Sequence, residues 1–585
     1  MFKMRLKVTK SKNSASLYVI KSVYNSKTQS NSSKIVEKLG TETELREKLN
    51  GADPYEWAKE YIKKLNEEEK EQTRKILVPF GQSQIISKNE QHSFNGGYLF
   101  LQKIYHELKL NKICKEISQK YKFDFDLDSI LSRLIYGRVI FPSSKLATYE
   151  LSRKFIEQPN FDLHQIYRAL EVLAKETDFI QSSLYENSLK VSKRNTSVLY
   201  YDCTNYFFEI EQEDGNKQYG PSKDHKPNPI VQMGLFMDGN GIPLAFSINR
   251  GNMNEQLTLK PLEKKIISDF ELSKFVVCTD AGLASEDNRK FNDISGRSFI
   301  TTQSIKKLKK HLKNWALDPD GWKLPGRDKT YDISKLDEMA DKATPEDKSK
   351  IQAKVFFKER WIKETDFEQR LIVTYSIKYR DYQRKIRNSQ IERAQKAIEN
   401  NPKNIEKCRQ NDYKRFIHKT NCTANGEVAD NKIYSIDNDL MQQEEAFDGF
   451  YGVCTSLEDG VSEIIKINHR RWEIEECFRI MKSEFKARPI YLRNDDRIES
   501  HFITCFISLI IFRLLEKKLE EKFTCHEIIF GLRNMELFEI KGEGYVPTYT
   551  RTDFTDALHE AFGFRTDYQI VASSMMKKIF KGTKK

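Results

Sequence analysis

Residues 198–210 read VLYYDCTNYFFEI, and this stretch decides the fold. Upstream, from Gly97 to about Lys190, apolar residues recur at helical spacing. At Ser197 the period shortens, and aromatic and β-branched residues follow one another as in a strand. Asp202 sits in the middle of it. Burying an unpaired carboxylate there is unfavourable by several kcal/mol unless something compensates it. A cation is the simplest partner; a sheet-edge or hydrogen-bonded position is the open alternative.

Working downstream, Ile230–Met237 and Ile242–Ile248 flank Asp238-Gly239-Asn240-Gly241, a hairpin signal. A helix around Gln256–Asp269 follows, then a buried strand Phe275–Thr279 ending at Asp280, a helix near Ala284–Asn292 and a strand at Ser298–Thr302. The order strand, strand, strand, helix, strand, helix, strand is that of an RNase H-like sheet, an α/β architecture. It carries one carboxylate on its first strand and another at the end of its fourth. Ligands collect at such strand ends in open α/β sheets, although Asp280 reads equally well as a turn or N-cap residue before Ala281-Gly282.

Between Gln303 and about Gly449 the pattern is mixed, with strands expected at Ala353–Ile362, Leu371–Tyr379 and Lys432–Ile436 and a charged helix at roughly Arg380–Cys408. Structureless loops of that length are rare in compact domains, so the segment is read as an inserted, β-containing domain that leaves the sheet. Phe450–Ser456 returns as a strand. A helix follows, and Phe502–Lys522 is its expected packing partner.

Upstream, Met4–Val8, Ser16–Val23 and Lys34–Leu39 predict a small sheet, followed by a charged connector helix from Glu56 to about Lys75. Helices are expected at Tyr98–Leu108, Leu127–Ile140, Leu146–Phe155, Leu163–Leu173 and Phe179–Leu189. The resulting division is a β-rich module with connector (1–75), a helical domain that is a candidate for DNA binding (76–195), a first core part (196–302), the insertion (303–449), a last core part (450–522) and a tail domain (523–585).

Lys and Arg outnumber Asp and Glu by 98 to 85, a formal charge of +13, which favours a polyanionic partner. Nine scattered cysteines form no CxxC pair and no Cys/His ligand spacing, which speaks against zinc and redox motifs. The longest apolar run, Ile503–Leu515, contains Cys505, Ser508 and Arg513 and reads as a buried helix rather than a membrane span. The basic N-terminus lacks the apolar segment of a signal peptide. A cytoplasmic protein with no membrane partner is expected.

Residues 470–486, RRWEIEECFRIMKSEFK, complete the picture. At about 100° per residue, Arg471, Glu475, Arg479, Lys482 and Lys486 fall on one arc and Ile474, Cys477, Phe478, Met481 and Phe485 on another. A single carboxylate therefore sits in a cationic stripe, a pattern shared with any amphipathic helix that has a solvated charged face. Taken with Asp202 and Asp280, Glu475 would complete an oxygen-only ligand set suited to Mg2+ or Mn2+. Two such ions about 4 Å apart activate a water or 3′-hydroxyl and stabilise the leaving oxygen of a phosphodiester.

Asp202, Asp280 and the pattern Arg471-x3-Glu475-x6-Lys482 resemble the DDE transposases of the IS4 superfamily. WEIEECFRIMKSEFKARPIY, GNMNE at 251–255 and YGPSKDHKP at 219–227 are most similar to the IS1634 group. The resemblance implies an RNase H-like catalytic core, with Asp202, Asp280 and Glu475 as catalytic residues and ligands of two Mg2+ or Mn2+ ions. It also implies DNA as partner, both the terminal inverted repeats of a transposon and the target. Arg471 and Lys482 would contact phosphates, with Arg479 and Lys486 on the same stripe and Lys223 and Lys226 on a loop beside the first strand. The signature tyrosine position holds Asn468. Tyr451 is the candidate for an aromatic holding a flipped base, with Phe450 and Trp361 behind it, and a core or sheet-surface aromatic is its plainer reading. Trp472 is expected to pack under its helix. Cleavage at transposon ends, strand transfer, a dimer or higher oligomer in the synaptic complex, and a nucleoid-associated place in a bacterial cell follow as expectations. The competing readings are a stand-alone metal-dependent DNA nuclease and a catalytically inactive DNA-binding protein.

Overall fold

The computed structural model describes residues 3–11, 14–25, 30–72, 76–78, 80–364, 367–400, 412–421 and 432–585. They form two compact units, residues 1–90 and 91–585. In the first, β1 (Met4–Ser11), β2 (Ser14–Asn25) and β3 (Ser30–Thr41) make an antiparallel sheet. Two helices follow, Glu42–Lys48 and Pro54–Gln72, the first opened by a capping box between Thr41 and Glu44. Leu17, Leu45 and Ala58 are the centre of its small core. The last residues of the expected connector helix, 73–75, lie outside the described residues.

The second unit begins with β4 (Ser93–Asn95) and six helices, Tyr98–Glu107, Leu110–Lys120, Leu127–Ile140, Lys145–Ser152, Leu163–Lys175 and Thr177–Val191. Leu110–Lys120 was not anticipated, because LNKICKEISQK shows only a narrow apolar stripe, Leu110, Ile113, Cys114 and Ile117, among polar residues.

The large sheet then builds from β5 (Val198–Phe207), β6 (Ile230–Asp238), β7 (Pro243–Arg250), β8 (Val276–Thr279) and β9 (Ser298–Gln303). The expected hairpin forms between β6 and β7, with Gly241 at φ +80° and the Asp238 carboxylate accepting from the N–H groups of Asn240 (3.0 Å) and Ile242 (2.9 Å). β5 lies parallel to β8, and β8 parallel to β9.

Contrary to the expectation of an inserted domain, the described residues of 303–449 do not all leave this sheet. They supply β10 (Trp322–Lys323), β11 (Thr330–Tyr331), β12 (Phe356–Glu364) and β13 (Phe367–Tyr375), and with β16 (Phe450–Thr455) they extend it to ten strands in the order β11-β10-β12-β13-β16-β9-β8-β5-β6-β7. The reason is apolar continuity: Leu371, Ile372 and Val373 of β13 are fully buried and pair antiparallel with Cys454, Val453 and Gly452 of β16. Only β14 (Ile417–Asn421) and β15 (Lys432–Ile436) form a separate two-stranded ribbon. The charged helix runs Ile377–Asn400, and the remainder of its expected length lies outside the described residues.

Two layers cover the β5 region. Leu199, Tyr201 and Cys203 pack with Phe236, Leu244 and Val277 beneath the helix Leu259–Asp269. The other face, through Tyr200 and Tyr206, joins the main core around the helix Asp495–Lys518. By length and composition that helix is long enough to cross a membrane, yet 94% of its apolar window is buried inside the fold. The tail belongs to the same core: β17 (Glu536–Ile540), β18 (Gly544–Pro547) and β19 (Val571–Ala572) form a sheet with β4, and Leu532, Phe554 and Met576 share the cluster with Tyr98 and Ile135.

Candidate active site

Strand alternation places the first carboxylate. Tyr200, Asp202, Thr204 and Tyr206 occupy one face of β5. The Tyr200 hydroxyl donates to the Ile467 carbonyl at 2.9 Å, Thr204 Oγ1 accepts from Lys482 Nζ at 2.7 Å, and the Tyr206 hydroxyl lies 3.8 Å from Met481 Sδ. Tyr201 turns the other way, its hydroxyl 2.7 Å from Thr258 Oγ1. Asp202 therefore faces the helical segment 461–484.

Register places the second. Tyr200 is abreast of Cys278 across the parallel pair β5–β8, and Asp202 and Asp280 each lie two residues further along, on the same face. Asp280 also makes the turn its sequence suggests, Oδ1 accepting from the N–H groups of Gly282 and Leu283 at 3.0 Å each. Burial, reinforced by the neighbouring Asp280 carboxylate, pushes Asp202 up to about 7 against the opposing pull of Lys223 and Arg471.

Glu475 belongs to the helix Trp472–Arg479, and its Oε1 is 3.0 Å from Arg471 Nη1, with the side chain 56% exposed. Although burial disfavours its charge, Arg471 is held above the usual arginine range by Glu475 first and then by Asp202, Tyr451 and Asp280. The structure thus brings Asp202 and Asp280 together, and Glu475 reaches them through Arg471. Among the described residues no three His, Cys, Asp or Glu side chains stand close enough to hold a metal ion.

The cationic stripe is not one arc. After Arg479 the helix widens into a π-turn, Ile480–Glu484, and Lys486 follows at φ +48°. The buried side survives, with Ile474, Cys477, Met481 and Phe485 fully enclosed, but the charged side splits. Arg479 pairs with Glu476 (2.6 Å) and Glu484 (3.4 Å), and Lys486 is exposed beyond the helix end. Lys482 instead turns inward to Thr204, 3.9 Å from Asp224 Oδ2 and over the Tyr206 ring, and burial brings it down to about 8.

On the facing loop, Lys223 Nζ donates to the Cys203 carbonyl and pairs with Glu255 at 3.0 Å. Burial works against its charge, and Glu255 and Asp202 outweigh it, holding it above the usual lysine range. Lys226 is exposed, near the Phe207 ring. Asp224, the one carboxylate of YGPSKDHKP, ion-pairs with Arg488. Asp224 and Arg488 were not among the site residues expected from the sequence, because each lies on a loop whose partners are fixed only by folding.

Tyr451 does not splay outward. Its hydroxyl accepts from Asn468 Nδ2 at 3.0 Å and lies 2.8 Å from Thr302 Oγ1, with its ring edge-on to Tyr379. Phe450 packs against Tyr375 and Trp322 in the core. Trp361 is 45% exposed, and Trp472, expected beneath its helix, is 60% exposed, because the apolar face is already filled by Ile474, Cys477 and Phe478.

The family described as Transposase DDE domain matches residues 203–511, more than half of the chain, starting one residue after Asp202 and including Asp280 and Glu475. The chain belongs to this transposase family. No curated protein matches it. Among solved structures, a piggyBac transposase synaptic complex with hairpin DNA is similar at 8% identity and a TM-score of 0.33, over 83% of this chain and 84% of that one.

Proposed function

We propose that this transposase cuts DNA at the ends of a mobile element and joins the freed 3′ ends to target DNA, with Asp202, Asp280 and Glu475 as its catalytic carboxylates. The observation that carries the reading is the pair formed by Asp202 in β5 and Asp280 just past the end of the parallel strand β8, where burial and the Asp280 carboxylate push Asp202 up to about 7 and Arg471, Lys223 and Lys482 act on it. The strand order β7-β6-β5-β8-β9 supports an RNase H-like core, and Arg471-x3-Glu475-x6-Lys482 supports placement in the IS4 superfamily near the IS1634 group.

The donor set fits a hard divalent cation, since it is all oxygen and its two aspartates repel each other without one. Mg2+ or Mn2+ bound there, two ions by the family resemblance, would neutralise the carboxylates and supply the Lewis acidity for attack by water or a 3′-hydroxyl. The side chains do the rest. Asp280 is oriented by the Gly282 and Leu283 N–H groups. Arg471 holds Glu475 and sits where a DNA phosphate would take its place as partner, freeing Glu475 to join the aspartates. Lys482, pinned to Thr204, and Lys223, pinned to the Cys203 carbonyl, present positive charge on either side of Asp202. Assembly on two DNA ends, as a dimer or larger, and action on the bacterial nucleoid complete the proposal.

The test is a divalent-dependent nicking and joining assay on DNA carrying the element's inverted repeats. D202N, D280N and E475Q are each expected to lose both reactions while retaining DNA binding; full strand transfer by any one of them would falsify the assignment. Nicking without joined products identifies a stand-alone nuclease, and binding without nicking in the wild type an inactive DNA-binding protein.

A further inference from the structure

Distinct from the carboxylates is a cleft of about 540 Å³ lined by Arg138, Lys145, Lys486, Arg488, Arg493 and Arg497, with no Asp or Glu among its lining residues. Among the described residues two of these cations have an ionic partner: Arg488 has Asp224, and Arg497 has Glu171 at 2.8 Å. Lys486 and Arg493 are exposed and without an ion pair among the described residues. Arg138 donates from Nη1 to the Phe485 carbonyl at 3.0 Å, but its buried Nε has no acceptor.

Lys145 is the telling residue. It is 6% exposed, and its buried Nζ has no acceptor among the described residues. An ammonium group in that condition is unfavourable unless an anion arrives to answer it. The N-cap residue Ser144, which opens the helix Lys145–Ser152, also lines the cleft, so one helix N-terminus adds positive potential, whereas Asp495 and Asp496 occupy the first turn of the helix that Asn494 opens.

The cleft connects to the site already described. Arg488 lines it and ion-pairs with Asp224, which faces Lys482, which in turn is hydrogen-bonded to Thr204, two residues from Asp202 on the same strand face. We infer that this cleft binds the phosphodiester backbone of the DNA strand that runs past Asp202 and Asp280, with Lys145 and Arg493 as phosphate-contacting residues. The inference rests on the DNA-processing reading above.

The groups acting on Lys145 are Arg138 from the helix Leu127–Ile140 and Cys505 and His501 from the helix Asp495–Lys518. Burial keeps the Cys505 thiol up and the His501 imidazole well below its usual range, so neither supplies a charge. Burial, with Arg138 adding to it, brings Lys145 down to about 7. A phosphate at Nζ restores the proton, so DNA binding near neutral pH takes up a proton at this residue.

The experiment measures affinity of the full-length protein for a fluorescein-labelled duplex in divalent-free buffer across a salt series, with proton uptake followed in weakly buffered solution. K145M and R493Q are each expected to weaken binding severalfold and to flatten the log–log salt slope by about 0.9. K145M is also expected to lower the proton uptake, whereas R493Q leaves it at the wild-type level. R493Q alters an exposed, unpaired side chain and leaves folding intact, so its result stands if K145M proves unstable. Wild-type slope and affinity in both variants overturn the inference while leaving the transposase reading in place. A wild type that binds no DNA overturns both. If inorganic phosphate stabilises the wild type but not K145M while DNA binding is the same in both, the cleft is a free-anion site and the backbone assignment falls.

Discussion

Asn468 Nδ2 donates to the hydroxyl oxygen of Tyr451 at 3.0 Å, and the same hydroxyl lies 2.8 Å from Thr302 Oγ1. Tyr451 acts in turn on Arg471. The phenol of Tyr451, contributed by β16, therefore stands directly against the side chain at helical position 468. Asn468 is only 7% exposed and has Cys278 Sγ 3.8 Å from its Oδ1, so there is room for one large side chain at this junction and not for two.

From that relationship N468Y alone is expected to overpack the junction and destabilise the protein by about 1–3 kcal/mol. Y451A opens the space, so the double variant N468Y/Y451A should lose less than the sum of the single changes, with a coupling above about 0.5 kcal/mol. Urea unfolding of the four proteins closes the cycle; strict additivity would show that the two positions do not share a site.

Lys482 bears on pH dependence of binding. Burial brings it down to about 8, so it is cationic below that pH and neutral above it. If it contacts a DNA phosphate, affinity should fall by up to about tenfold between pH 7 and pH 9. K482R keeps its charge throughout and should remove most of the fall. Fluorescence anisotropy at fixed ionic strength reads the difference, and parallel curves for the two proteins would argue against a Lys482–phosphate contact.

Glu263 bears on pH dependence of stability. It is fully buried, accepts from Asn292 Nδ2 at 3.1 Å and lies 3.5 Å from Arg297 Nε, and burial raises it from 4.5 to about 7 despite both neighbours. Between those two values the folded chain keeps a proton that the unfolded chain has lost. Stability therefore declines as pH rises from about 4.5 through about 7 and levels off above it, by roughly 3 kcal/mol at most for this group. Asp202, Glu499 and Glu516, also raised to about 7 by burial, act in the same direction. E263Q should subtract its share and leave a shallower curve of urea midpoint against pH; an unchanged slope would mean that Glu263 is ionised in the folded protein.

The sequence by itself determined what depends on neighbours along the chain. The change of period at Ser197, the Asp238–Gly241 turn and the apolar run before Asp280 are local signals, and the strands and hairpin they predict are present as β5 to β9. Tertiary structure decided what depends on partners remote in sequence. Whether 303–449 left the sheet turned on the pairing of β13 with β16, and the fate of the stripe at 471–486 turned on a π-turn that sends Lys482 inward and leaves Arg479 to Glu476. Lys145 and Arg493 stand far apart in sequence, and only the packing of the helix Leu163–Lys175 and its neighbours on Asp495–Lys518 brings them to one cleft. Periodicity reports which face of an element is buried, whereas the sum of charge over a surface is set by which faces the fold turns toward each other.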